Sequence, residues 1–548
     1  MDLILSSIEI LARWDVLLAL LAGSVGGVLI GAIPGVGPAV AIAILLPATF
    51  SMDPIVGLTV LLGIYGSSMY GGSIPAILIN TPGTAVNALT TYDGYPMTTR
   101  GEARRALSLA YSASFFGGIF SVICLILFAP ILAKIAPMFG SREIFLAALL
   151  GLLLVVVAHR GQALIAAALA CFGIFLNTVG LEPVKYTKRF TFDQSWLSGG
   201  VNLIVVVLGL FALSQAFYLL TGEDEKVRMT KLRGGLFQGL RELARHPRVA
   251  GVSGTFGVLM GMIPGVGEFT AQFLSYTYAQ KTSKRPQDFG HGSSEGLIAA
   301  ETANNAVPAA AMVPLLALGI PGEALTAMML SVFYVHNVVP GPQLFQNDMD
   351  FVVALYLALL LLNILVLVFL LFATNQLIKV VKIPNRFLGA AILVLSFVGV
   401  YSLRNSFTDC LIAACFGIFG FVLKRLSIPA VPIILGMVLG GIMEVKLRAG
   451  MARVKTFPDF FKDGRGDDTS LRPIAVILFI MIIGVLIIHF RRVWLDRKEL
   501  KEAKWSTKHA STNFGMHLSR RKDYLLRERG RKVREKHLKY NPRSTGKR

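Results

Sequence analysis

Two carboxylates, Glu301 and Glu323, stand in segments that carry almost no other charge. A carboxylate held in apolar surroundings is a candidate ligand for a proton or for Na+. Short hydroxyl and amide side chains gather at two places: Asn80, Thr81, Thr84 and Asn87 in the first half, and Thr302, Asn304, Asn305 and Thr326 beside these carboxylates in the second. Groups of this kind coordinate a carboxylate or a cation without bringing a full charge of their own. The same residue types are also favoured in helix caps and turns. Glu301 and Glu323 read equally well as loop carboxylates at an interface. His291 and His336 stand apart from any Cys or acidic partner and read as surface or capping residues.

A repeated backbone signal says where such groups would meet. The pattern G-x-x-x-G-x-x-P-G-V-G occurs at Gly27, Gly31, Pro34, Gly35, Val36, Gly37 and again at Gly257, Gly261, Pro264, Gly265, Val266, Gly267. A second pair follows in the same order: Asn80-Thr81-Pro82-Gly83-Thr84-Ala85, then Gly319-Ile320-Pro321-Gly322-Glu323-Ala324. Proline removes a donor and glycine permits helix-breaking φ values, so each Pro-Gly frees backbone N–H and C=O groups. Inside a membrane these groups need a partner, supplied by protein, water, an ion or a substrate. Freed N–H groups attract anions and freed carbonyls attract Na+. The expected substrate-binding residues are therefore Gly35, Gly37, Asn80, Thr81, Pro82, Gly83, Thr84, Gly265, Gly267, Asn304, Asn305, Pro321, Gly322 and Glu323. Asn87, Glu301 and Thr326 are expected to couple the ion. A side chain placed on Gly83 or Gly322 is expected to fill ligand space. Gly27, Gly31, Gly257 and Gly261 read rather as close helix-packing positions.

The elements that must position these residues are membrane helices. The 548 residues are 54% hydrophobic and only 16% charged, well below the ~25% charged of soluble domains. Residues 351–373 form one run long enough to cross a bilayer, which takes about 20 residues. Runs at 144–158, 202–220, 408–423 and 473–490 read the same way, and further helices are expected near 54–70, 103–133, 387–402 and 429–443. The fold expected is an all-α polytopic membrane protein with two sequence repeats, inverted if an odd number of crossings separates them, and 10–12 transmembrane helices including broken helices or re-entrant hairpins. The repeats span 1–221 and 249–490, joined by a polar segment at 222–248. Within that segment Phe237, Leu240 and Leu243 have the spacing of a surface helix. Acidic and basic residues precede the first apolar run, so residues 16–33 read as a retained helix rather than a cleaved signal. From Arg491 to Arg548 there are 20 Lys and Arg against 6 Asp and Glu, which is +14 of the chain's +21. Basic residues after a membrane helix read as a cytoplasmic tail in contact with anionic lipid, and not as a nucleic-acid site. The four cysteines lie in apolar segments and read as small buried hydrophobes.

There is no phosphate loop, no H-E-x-x-H motif and no nucleophile–base pair, so neither ATP hydrolysis nor a metal-dependent enzyme is indicated. The stretches GAIPGVGPAVAIAILLP, YGGSIPAILINTPGTAVNALTTYDGYPM, GMIPGVGEFTAQ and ETANNAVPAAAMVPLLALGIPGEALTAMML resemble the large membrane subunit of the tripartite tricarboxylate transporters, the TctA family. The resemblance covers about residues 15–490. It implies a bacterial inner-membrane permease working with a small four-helix membrane subunit and a periplasmic solute-binding protein. It implies import of carboxylates such as citrate, driven by a gradient of Na+ or H+ rather than ATP, with no covalently bound cofactor. It places substrate and ion at the Pro-Gly-Val-Gly breaks and at the 80–84 and 320–323 tips. A carboxylate channel is the alternative transport mode, and a membrane-embedded enzyme is the alternative from another class.

Overall fold

Long apolar runs punctuated by Pro-Gly pairs give a computed structural model built almost wholly from helices, which describes residues 2–159, 161–182, 185–222, 235, 237–380, 383–452, 454, 456–462 and 471–495. The first half runs α1 (Asp2–Ala12), α2 (Trp14–Gly31), α3 (Gly37–Thr49), α4 (Pro54–Ile79), α5 (Thr90–Thr99), α6 (Ala103–Ile135), α7 (Ser141–Ala158) and α8 (Ala163–Thr178). A two-residue antiparallel pair, Gly180–Leu181 with Lys188–Arg189, precedes α9 (Leu203–Thr221). The second half runs α10 (Gln238–Leu243), α11 (Pro247–Met262), α12 (Gly267–Thr282), α13 (Ser294–Asn305), α14 (Val307–Leu318), α15 (Ala324–Val335), α16 (Pro342–Asn347), α17 (Met349–Val380), α18 (Asn385–Arg404), α19 (Phe407–Arg425) and α20 (Val431–Met451). A last helix, α21, covers Pro473–Leu495. The chain divides into two units, Met1–Ile480 and Met481–Arg548.

Among the described residues nine helices are long and apolar enough to cross a membrane, and α3, α8 and α15 are shorter apolar helices. The breaks account for α3 and α15: a span cut at Pro-Gly leaves pieces below the ~20 residues a crossing takes. Large apolar side chains such as Leu127 and Ile131 on α6, and Val394 and Val398 on α18, face outward. Outward apolar faces on long helices are what lipid requires and water does not. Cys171 and Cys415 share this placement; they are exposed rather than buried, while Cys124 and Cys410 are half-buried. Their helices present apolar residues on the outer face, so burial does not follow from apolarity here.

The polar segment after α9 does carry a short helix, α10, with Leu243 inward and Phe237 exposed. Residues 223–234 and 236 of that segment, and the basic tail beyond Leu495, lie outside the described residues. Arg105 on α6 anchors α10 through a two-pronged bond to Glu242, 2.9 Å from Nε and 2.5 Å from Nη2. Burial alone pushes the Glu242 carboxyl up, but its bonds from Arg105 and Ser294 outweigh this and hold it below the usual range. Another lock closes the loop before α13. Asp93 accepts from the backbone N–H groups of Gly290, Gly292 and Ser293 and from the Tyr276 hydroxyl.

Candidate functional site: two matched helix breaks

Small residues let α2 lie directly on α4. A Cβ on Gly31 would collide with the Ser68 carbonyl, and one on Gly27 would lie 2.7 Å from the Ile64 backbone. The residue numbers rise together along the contact, so the two helices run parallel. In the second half Gly257 meets Ala303 and Gly261 meets Val307, again in parallel. The four glycines of the G-x-x-x-G pairs therefore act through close packing, as their spacing indicates.

Beyond these contacts the chain reverses. Gly35 and Gly37 have φ of +79° and +66°, and Gly265 and Gly267 have +83° and +68°. These values lie in the left-handed region that a side chain disfavours. The Gly35 N–H donates to the Gly83 carbonyl at 2.9 Å, and the Gly265 N–H donates to the Gly322 carbonyl at 2.5 Å. Val36 to Ile33 and Val266 to Ile263 are both 3.3 Å. Each Pro-Gly-Val-Gly turn is thus fastened to the Pro-Gly tip that follows it in sequence, by the same backbone bond in both halves. The turns leave α3 and α12 with first-turn N–H groups that have no helical acceptor.

Around the first tip, Asn80 caps α4 in left-handed conformation and is exposed; Thr81 and Pro82 are half-buried. Thr84 and Asn87 are buried and bonded to each other at 2.5 Å, and Asn87 also donates to the Met69 carbonyl. Gly83 faces neighbouring chain rather than open space: its N–H donates to Gly72, and a Cβ there would meet the Gly31 carbonyl and lie 2.8 Å from Gly72 Cα. The expectation that a side chain at Gly83 fills ligand space is corrected; it would part the helices. Gly322 is looser, with its nearest would-be contact at 3.4 Å, and nothing lies within 4 Å of a Cβ on Gly267.

At the second tip Pro321 and Gly322 are buried, and Glu323 starts α15 in a capping box with Thr326. The Glu323 carboxylate accepts from the Tyr65 hydroxyl of α4, which also lies 3.4 Å from Glu268. Thr326 is thereby tied to Glu323 rather than to the other expected ion ligands. Those two do come together. Glu301, fully buried, accepts from Thr90 at 2.5 Å and Ser114 at 2.8 Å, with Asn87 also in hydrogen-bonding reach. Asn305 donates to Ser114 and to Glu301. Glu301 is therefore no loop carboxylate; its partners come from both halves of the chain.

Helix α4 brings the two tips near one another. Tyr65 touches Glu268 and Glu323, while Gly72 holds Gly83. Seven residues of helix separate them, about 10 Å of rise. Among the described residues no basic side chain pairs with Glu268, Glu301 or Glu323. Both amide atoms of Asn304, both of Gln272 and the Asn305 oxygen are buried without a hydrogen-bond partner. Native proteins seldom leave such groups bare, so each asks for a ligand, an ion or water. Glu268, Gln272, Thr90 and Ser114 were not among the expected site residues. One signal was present: Glu268 and Gln272 follow the second turn where the first copy has Pro38 and Ile42.

A family model described as the tripartite tricarboxylate transporter TctA family matches residues 17–435. An uncharacterised 52.8 kDa protein in the TAR-I ttuC' 3' region of Agrobacterium vitis is 36% identical over 427 residues, covering 78% of this chain and 85% of that protein. A second uncharacterised protein, from the TAR-II ttuC' 3' region of the same organism, is 34% identical over 195 residues, 36% of this chain and 81% of its own length. No solved structure matches.

Proposed function

The chain belongs to the tripartite tricarboxylate transporter TctA family, and from that premise we propose that it is the permease subunit importing an organic carboxylate, with Na+ or H+, across a bacterial inner membrane. The observation that carries this reading is the recurrence of one backbone device, Gly35 to Gly83 and Gly265 to Gly322, beside buried carboxylates that have no basic partner among the described residues. The first-turn N–H groups of α3 and α12 offer donors to a carboxylate. Asn304, Asn305 and Gln272 offer neutral donors and acceptors beside them. Glu301, with Asn87, takes the coupling ion; Glu323, at the second tip, faces the substrate. The two halves, 1–221 and 249–490, act as inverted repeats whose tips meet at the membrane midplane. The 222–248 segment joins them and 491–548 forms a cytoplasmic tail. A four-helix membrane subunit and a periplasmic binding protein complete the transporter, and the binding protein selects the anion.

The test is uptake of labelled citrate and a panel of di- and tricarboxylates into proteoliposomes holding all three components, with an inward Na+ or H+ gradient imposed or omitted. Saturable accumulation that needs the gradient and not ATP supports the reading. Conductance that does not saturate with substrate replaces it with a channel.

A further inference from the structure

The first break lines a cavity of about 230 Å3 that the tips do not account for. Its walls include Gly35, Val36 and Ala39 from the start of α3, Phe211 and Gln215 from α9, and Lys424 from the last turn of α19. Lys424 is the one charged side chain in that wall among the described residues, and no acidic partner is described for it. Its ammonium donates to Gln215 Oε1 and lies 4.5 Å over the Tyr218 ring. Gln215 is only 2% exposed, yet its Nε2 has no acceptor. A Cβ placed on Gly35 would stand 3.8 Å from that nitrogen, so the idle donor looks across the cavity at the break.

The backbone supports the same reading. Leu208–Leu213, just before Gln215, is a π-helical stretch within α9. Such an inserted turn shifts the register of all that follows it and is frequent at functional sites. The start of α3, a 13-residue helix, brings the Ala39 N–H to the same wall, the Gly35 and Val36 N–H groups being bonded already and Pro38 having none. An ammonium, an unused amide N–H and a helix start converge here with no carboxylate among the lining residues. That is the donor set for an anion. The cavity's volume suits a small organic acid.

We infer that Lys424 and Gln215 form a carboxylate-binding subsite against the Gly35 break, holding one carboxylate of the transported anion. The inference rests on the carboxylate reading above and adds to it two residues outside the paired tips. Lys424 supplies the charge, and Gln215, held by Lys424 through its oxygen, presents its amide N–H.

The experiment uses the full chain purified in neutral detergent without anionic lipid. Citrate binding is titrated calorimetrically for wild type, Lys424→Met, Lys424→Arg and Gln215→Leu. Loss of a charge-assisted bond predicts about tenfold weaker binding for Lys424→Met, a smaller loss for Gln215→Leu, and retention in Lys424→Arg. A melting temperature of Lys424→Met within a few degrees of wild type separates its loss from misfolding. Unchanged citrate affinity in both Lys424→Met and Gln215→Leu overturns the subsite and leaves the transport reading intact. If wild type binds no citrate, trifluoroacetate followed by fluorine NMR line width decides. Broadening that disappears in Lys424→Met keeps the anion subsite and removes citrate as its occupant; equal line widths overturn the subsite and leave the transport reading to the uptake experiment.

Discussion

At the residue scale, Glu301 and Gln272 carry opposite signs of the same argument. Glu301 is a buried carboxylate whose described partners are neutral hydroxyls and amides, Thr90, Ser114 and Asn305. Glu301→Gln keeps the shape and removes the charge. Gradient-driven uptake is expected to fall at least about tenfold, more than 1.4 kcal/mol on the transport cycle. The melting temperature of the purified protein should stay within a few degrees of wild type. Uptake at the wild-type rate removes Glu301 from ion coupling. Gln272 is buried with both amide atoms idle, and such groups cost about 1–3 kcal/mol each when unsatisfied. Ile42 stands at the matching place in the first copy. Gln272→Ile should therefore raise the melting temperature and lower uptake, a stability gain at a functional position. A variant that is both less stable and fully active contradicts a ligand role for this amide. These two residues also show what was legible. Glu301 is visible in sequence because charge is scarce around it. Gln272 and Glu268 become visible only when the two copies are aligned and their departures are noticed. Thr90 and Ser114 could not be found that way, because their meeting with Glu301 depends on how the halves pack, 211 and 187 residues away in sequence.

At the element scale the motif splits into two kinds of glycine. Gly31 and Gly261 sit where helix backbones touch, with Ser68 and Val307 as the opposing walls. Gly267 sits at a turn with a φ of +68° and open space beyond. The two classes predict different failures. Gly31→Leu should abolish recovery of folded protein, read as loss of the monodisperse peak on size-exclusion chromatography. Gly267→Ala meets no atom and costs only backbone strain, about 1–2 kcal/mol. It should leave that peak intact while reducing uptake, since the start of α12 is displaced. If both variants fold and transport alike, the turn has no special place in the cycle. The spacing G-x-x-x-G and the Pro-Gly breaks were readable as sequence because each follows from local backbone chemistry. What a single chain could not disclose is the tie from each turn to a tip about 50 residues on. That tie also reassigns Gly83 from ligand space to packing, since Gly31 and Gly72 close on it.

At the scale of the whole molecule, every residue assigned to the site lies within Met1–Ile480. The two tips depend on α4, and Glu301 depends on α5 and α6, so the site needs both halves at once. None of the residues proposed for the site comes from the basic tail. On the cytoplasmic placement proposed for it, its 20 basic residues against 6 acidic ones would serve a different physical task, favouring the side of the membrane with anionic lipid and opposing passage across it. Truncation after Arg492 thus separates abundance from activity. The amount of protein in the membrane should fall, while the gradient-driven uptake rate per molecule stays within about twofold of wild type, near the range expected when no binding or barrier energy changes. The measurement is initial uptake rate in proteoliposomes normalised to reconstituted protein, beside immunodetection of the same variant in cell membranes. A large fall in rate per molecule would give the tail a part in the transport cycle itself, and the division drawn here between a site in the helices and an anchor in the tail would have to be abandoned.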